Sequence, residues 1–356
     1  MAHVDPAKMR EELQQQRRKV DFDTYDITVD ELVRRVARGR IEISPAYQRQ
    51  FRWGAERQSR LIESIILGIP VPPLFMATNV EPGEGQNWEV VDGLQRLLSM
   101  TNFLGDSGTR EVARLDDGPL RLRQLDILRS FDGLGADELP TDIRDGLLDR
   151  PVKVIVLNDK SDVQVRFDLF ERLNTGGVRL TDQEVREAVF AGPFMDLLTE
   201  LADSRKFRSV VNLQVGKQRD GTPQEFVLRF FAFHERYRLF DHSVKDFLND
   251  YCADADEHHS VEERRGLFEQ TFTFLEALFP AGIHRGPRSI TPVNVFEAVA
   301  VGAALALESR GLAGGSQDVG WIESEEFRRL TTGATNDKKR VVGRVEFARD
   351  RFIAGR

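Results

Sequence analysis

The sequence predicts an α+β protein on three observations. Short apolar or alternating runs at 74–77, 88–91 and 151–159 read as strands. Amphipathic helical periods lie between them, and from about residue 191 only helical periods recur. The expected division is an N-terminal arm over 1–25, an α/β domain over 26–190 and an all-helical domain over 191–356.

Each element has a local cause. Thr28 and Glu31 are spaced as a capping box before apolar Leu32, Val33 and Val36, and Gly39 is the expected stop. Leu61, Ile62, Ile65, Ile66 and Ile69 recur at helical spacing until Gly68 and Pro70 end the helix. The exposed edge of that helix is expected to carry Arg57, Arg60 and Ser64. Gly83 and Gly85 mark a turn before the strand at 88–91. The polar segment 105–150 shows no readable period. After the strand at 151–159, Ser161 and Gln164 form a capping box for a helix with Val163, Phe167 and Phe170 on one face. Thr181 and Glu184 repeat that pattern. In the second half, "PQEFVLRFFAFHERY" and "VFEAVAVGAALAL" are the clearest helices, and their apolar stripes are expected to pack against the first domain.

Composition excludes several classes. With 40% hydrophobic and 30% charged residues the chain is an ordinary globular one. Its net charge of −8 does not mark the whole chain as a nucleic-acid binder, although a local basic patch is compatible with it. One cysteine, Cys252, cannot form an internal disulfide, and no signal peptide is apparent, so a cytoplasmic location is expected. The longest apolar stretch, 295–307, contains Glu297 and falls short of the roughly 20 residues that span a bilayer, so no membrane partner is expected. Six histidines without metal-ligand spacing make a structural zinc site improbable.

The stretch "WEVVDGLQRLLSMTNFL" places a carboxylate and a glycine where a strand turns into a helix, and an arginine four residues after the carboxylate. Such a junction offers backbone N–H groups at the positive end of a helix, and Gly93 permits close approach of a ligand. Leu94, Leu97, Leu98 and Leu104 form a stripe expected to face the core, with Asp92 and Arg96 together on the exposed side. The competing reading makes Asp92 a helix cap paired to Arg96. Upstream, Tyr47, Gln48, Arg49, Arg52, Trp53 and Arg60 form a basic surface with aromatic neighbours, suited to phosphate contact and stacking. Downstream, Gly176 and Gly177 fit a helix C-cap. With Arg172, Asn174 and Thr175 they fit an anion-binding cleft equally well.

Taken in order, "YQRQFRWGAERQSRLIESIILGIPVPPLFM", the D-G-x-Q-R box of the junction and "FERLNTGGVRLTDQEVREAVF" resemble the N-terminal domain of GmrSD-type restriction proteins. That family has a ParB/sulfiredoxin-like fold and occurs also in SspE- and BrxU-type phage-defence proteins. The resemblance covers roughly residues 30–190. It implies nucleoside triphosphate binding and hydrolysis in anti-phage defence, coupled to DNA sensing or restriction. Asp92, Gln95 and Arg96 would be the catalytic residues, with Asp92 holding Mg²⁺. Gly93, Arg172, Asn174, Thr175, Gly176 and Gly177 would contact the nucleotide, and Tyr47, Gln48, Arg49, Arg52 and Arg60 the DNA. A nuclease or other defence-system protein would be a partner. The first glutamine of the family box is Leu94 here, which the core-facing stripe accommodates. A non-enzymatic DNA sensor or adaptor and a ParB-like nuclease using the same pocket are the alternatives.

Overall fold

The computed structural model describes residues 9–10, 21–43, 53–79, 87–115, 117–158, 167, 181–190, 192–218, 220–255, 259–286, 289–310, 318–333 and 336–355. Tyr47, Gln48, Arg49, Arg52, Arg172, Asn174, Thr175, Gly176, Gly177 and the Ser161–Gln164 pair lie outside the described residues. The chain divides into two compact units, Met1–Arg179 and Leu180–Arg356.

The first unit is built on a five-stranded mixed sheet in the order β1-β5-β3-β4-β2. Its strands are β1 (Phe22–Thr28), β2 (Ile41–Glu42), β3 (Leu74–Asn79), β4 (Asn87–Asp92) and β5 (Pro151–Leu157). The pairs β1–β5 and β3–β4 are antiparallel, whereas β5–β3 and β4–β2 are parallel. The helices are α1 (Val29–Ala37), α2 (Ala55–Ile66), α3 (Leu94–Leu104), α4 (Ser107–Val112) and α5 (Thr141–Leu148).

Residues 22–25, expected in the arm, belong to β1. "FDTYDIT" is almost wholly exposed and has no buried face to produce alternation. It is ordered by its backbone, paired along β5 from Phe22↔Leu157 to Thr28↔Pro151. Thr28 then caps α1, accepting from the Glu31 N–H at 3.3 Å. The other half of the expected capping box is replaced, because the Glu31 carboxylate accepts from Arg35 at 2.8 Å.

The segment 105–150, unreadable in the sequence, is ordered by contacts with α2. Leu61, Ile62 and Ile65 bury the apolar side of that helix. Ser59 and Glu63, also buried, face the incoming backbone. Ser59 Oγ accepts from the Arg123 N–H at 2.9 Å. The Glu63 carboxylate accepts from the N–H groups of Leu128 at 2.7 Å, Ile127 at 2.8 Å and Asp126 at 3.3 Å.

The second unit is helical, with α6 (Asp182–Val189), α7 (Pro193–Asp203), α8 (Arg205–Val210), α9 (Thr222–Arg236), α10 (Val244–Ala253), α11 (Val261–Leu278), α12 (Val293–Arg310), α13 (Glu325–Thr331) and α14 (Lys338–Ala354). Phe226, Phe230, Phe231 and Phe233 of α9 and Val295 to Ala306 of α12 form this unit's own core. A Cβ on Gly302 would stand 2.7 Å from both Ala348 Cβ and Arg349 N, so glycine lets α12 and α14 pack closely. No helix among the described residues is long and apolar enough to cross a membrane. Glu297, the charge inside the apolar run, accepts from Arg229 at 2.7 Å and also pairs with Arg344. Glu225 continues the chain to Arg229 at 2.7 Å and to Arg186 at 3.3 Å.

Glu297→Leu would leave the buried Arg344 and the nearly buried Arg229 without their shared carboxylate. Unfolding free energy should fall by about 3–5 kcal/mol. Urea unfolding reads this directly, and an unchanged midpoint would contradict the assignment.

Candidate functional site

The junction at Asp92 has three local causes. At the end of β4 the register shifts, since Phe75 of β3 faces Asp92 while Met76 already faces Val90. Val91 is the extra residue of a β-bulge, a device that re-aims the side chain that follows. Trp88 to Val91 are all buried, so β4 is covered on both faces, and Asp92 emerges half-buried at its end. Gly93 then takes φ +94°, a left-handed conformation that glycine adopts without strain. A Cβ at Gly93 would lie 2.4 Å from Leu74 Cδ2 and 2.9 Å from Arg96 Nη2. The close approach made possible by this glycine is thus to Leu74 and to the arginine of its own helix.

The helix α3 starts at Leu94 without a side-chain cap, so the competing reading loses its cap and keeps its pairing of Asp92 with Arg96. Asp92 accepts from Arg96 Nη2 at 2.8 Å, and the same nitrogen donates to the Pro73 carbonyl at 3.0 Å. The two side chains share a face as expected, but they are not fully exposed: Arg96 is 16% and Asp92 29% accessible. Arg96 Nε is buried without a hydrogen-bond partner among the described residues. Leu94, Leu97 and Leu98 are buried as their spacing predicts, and Leu104 is partly buried.

Gln95 points elsewhere. Its Oε1 accepts from the backbone N–H of Trp53 at 3.1 Å, tying α3 to the residue that precedes α2. Trp53 is half-buried, with the Arg57 guanidinium 4.4 Å from its ring centroid. Arg60, one turn on, is exposed, with Nε 3.6 Å from Asp126. Sequence reasoning missed Gln58, Ser59 and Glu63, although their helical spacing from the apolar stripe marks them as facing inward. Among the described residues no group of three or more His, Cys, Asp or Glu is placed to hold a metal ion.

The family of the GmrSD restriction endonuclease N-terminal domain matches residues 29–191. These residues are a domain of that family. No curated protein matches the chain. The GmrSD-type domain begins at the first residue of α1, so β1 precedes the matched range. It also takes in α6, which packs with the second unit. There the Thr181–Glu184 capping box is complete, as its spacing predicts, and Arg186 is buried against Asn249 Oδ1 at 2.8 Å.

Two measurements test this geometry. Leu94→Gln, which restores the family glutamine, buries an amide on the core side of α3 and should cost about 2–4 kcal/mol. A fully stable variant would show that residue 94 does not face the core. Glu63 titrates against a second expectation. Burial pushes its carboxyl up, but the three N–H donors and Arg60 outweigh that and hold it below the usual range. Its contribution is therefore present above the unfolded value of about 4.3 and lost as pH falls through the lower folded value. Glu63→Gln should destabilise at pH 7, with the difference from wild type closing in acid. A difference constant with pH would exclude the ionised carboxylate as the cause.

Proposed function

We propose that this chain hydrolyses nucleoside triphosphates as part of a restriction-type phage-defence system, acting on DNA or regulated by it. The observation that carries the reading is the Asp92–Arg96 pair at the uncapped start of α3. Helix N-terminal N–H groups attract phosphate oxygens, and a guanidinium stabilises charge on a transferring phosphoryl group. Arg96 is suited to that, being held at the Pro73 carbonyl and retaining an unpartnered buried N–H.

Asp92 would face a nucleotide across a like charge, which a divalent cation reverses. Mg²⁺ binds through one or two carboxylates together with substrate phosphates, and Asp92 fits this because among the described residues its Oδ2 alone is engaged, by Arg96. When bound, the ion would neutralise phosphate charge. Asp92 would hold it and release part of its hold on Arg96. Gln95 would act through position, keeping Trp53 and the start of α2 against α3. The family's restriction-endonuclease character supports DNA as the object of the system. Gln95's engagement with Trp53 favours, as a second reading, a sensor that binds at this junction without turnover.

Phosphate release from each NTP with Mg²⁺, with and without DNA, separates the two. Asp92→Ala and Arg96→Ala should each reduce release at least 100-fold, on the order of the loss of one charge-stabilising donor. Arg96→Ala should also lower the melting temperature slightly, because it removes a partly buried ion pair. Binding without release under every DNA condition would leave the sensor reading standing and end the hydrolytic one.

A further inference from the structure

Apart from the Asp92–Arg96 pair, the first unit contains a cavity of about 550 Å³ lined by Trp53, Gln58, Asn102, Arg114, Arg121 and Arg123. We infer that this cavity binds one nucleotide, its base against Trp53 and Asn102 and its phosphate at Arg114 and Arg123. Of these residues the proposed hydrolysis uses Trp53 alone, through its backbone N–H as the anchor of Gln95, and the inference does not depend on that chemistry.

The polarity of the wall is determined by a chain of amides. The Trp53 carbonyl can only accept, so Gln58 Nε2 donates to it at 2.8 Å. Gln58 Oε1 is thereby an acceptor and receives Asn102 Nδ2 at 3.0 Å. Asn102 must then present Oδ1, which is buried and has no donor among the described residues. Native proteins seldom leave such an acceptor unmatched, and a donor that enters the cavity beside Asn102 would satisfy it. Nucleobases carry N–H donors on a flat ring, and the Trp53 indole is a stacking partner for that ring.

The charge of the lining is also specific. Arg121 is occupied, with Nη1 and Nη2 on Glu138 at 2.8 and 3.2 Å. Arg114 and Arg123 have no carboxylate partner among the described residues, and one carboxylate, Asp117, shares the lining with them. Arg114 has φ +52° as the left-handed residue that closes α4, its N–H donating to the Glu111 carbonyl and that of Leu115 to the Arg110 carbonyl, both at 2.9 Å, so its backbone is fixed by the helix end. Arg123 is anchored through its own N–H to Ser59. Two fixed backbone positions thus present guanidiniums beside an indole and a buried acceptor. A volume of this size is ordinary for a small-ligand pocket.

Fluorescence anisotropy on the full chain provides the test, with a labelled (dT)12 strand and a 12-unit abasic strand of the same charge. Wild type should bind the base-bearing strand at least tenfold more tightly than the abasic one. Trp53→Ala and Asn102→Leu should remove that preference. Arg114→Ala combined with Arg123→Ala, both exposed and safe for the fold, should weaken binding at least tenfold. Arg144→Ala, an exposed arginine of the same unit away from the lining, should leave it unchanged. Competition by dTMP decides whether the site takes a free nucleotide or one within a strand, and either result supports a nucleotide site. The inference is overturned if the abasic strand binds equally well, if Arg144→Ala weakens binding as much as the double variant, or if neither strand nor dTMP binds. Absence of NTP hydrolysis would affect only the junction.

Discussion

A single buried carboxylate orders the part of the first unit that has no hydrophobic pattern of its own. Glu63 accepts three consecutive backbone N–H groups, those of Asp126, Ile127 and Leu128, at the entry to a short 3-10 turn. Backbone donors buried without acceptors are costly, so a charged acceptor at this point selects one path for the loop. Ser59, one turn earlier on α2, does the same for Arg123. The wall of the cavity, from Arg114 to Arg123, is held in place by these contacts from a helix that also carries Trp53 at its entrance.

The strand-to-helix junction is shaped by constraints that reinforce one another. The bulge at Val91 ends the regular register of β4, and Asp92 follows it half-buried. The positive φ of Gly93 then reverses the chain within van der Waals contact of Leu74. Arg96 closes over that glycine to reach Asp92 and the Pro73 carbonyl. Carboxylate and guanidinium therefore meet because Gly93, beside the guanidinium, has no side chain to hold it off. Gln95, on the next face of α3, links this junction to α2 through the Trp53 N–H. One helix thereby serves two polar regions, with Asp92 and Arg96 on one side and Asn102, bonded to Gln58, on another.

The helical unit solves a different problem. Its core is dominated by phenylalanine, yet Glu225, Arg229, Glu297, Arg344 and Arg186 form a chain of ion pairs through it. A buried charge needs partners in defined geometry, so this chain specifies the register of α6, α9, α12 and α14 more sharply than interchangeable apolar contacts do. The same glutamate breaks what would otherwise be an uninterrupted apolar helix.

Much of this was readable from local pattern. Periodicity located β3, β4, β5, α1, α2, α3 and α9, the leucine stripe of α3 set its orientation, and the spacing of Asp92 and Arg96 predicted their shared face. These features arise between residues one turn or one pleat apart, so neighbouring letters encode them. The strand β1 was not readable, because its order comes from backbone pairing with β5 more than a hundred residues away. The path of 105–150 was not readable either, since the N–H groups that Glu63 accepts lie 63 to 65 residues further along the chain, and spacing on α2 shows that Glu63 faces inward without showing what it meets. Tertiary contact also decided that Gln95 serves Trp53, that Asn102 presents an acceptor, and that the apolar stripes of α9 and α12 meet each other. Each of those outcomes depends on which distant backbone or side chain supplies the missing half of an interaction, and that information is not local to any stretch of the chain.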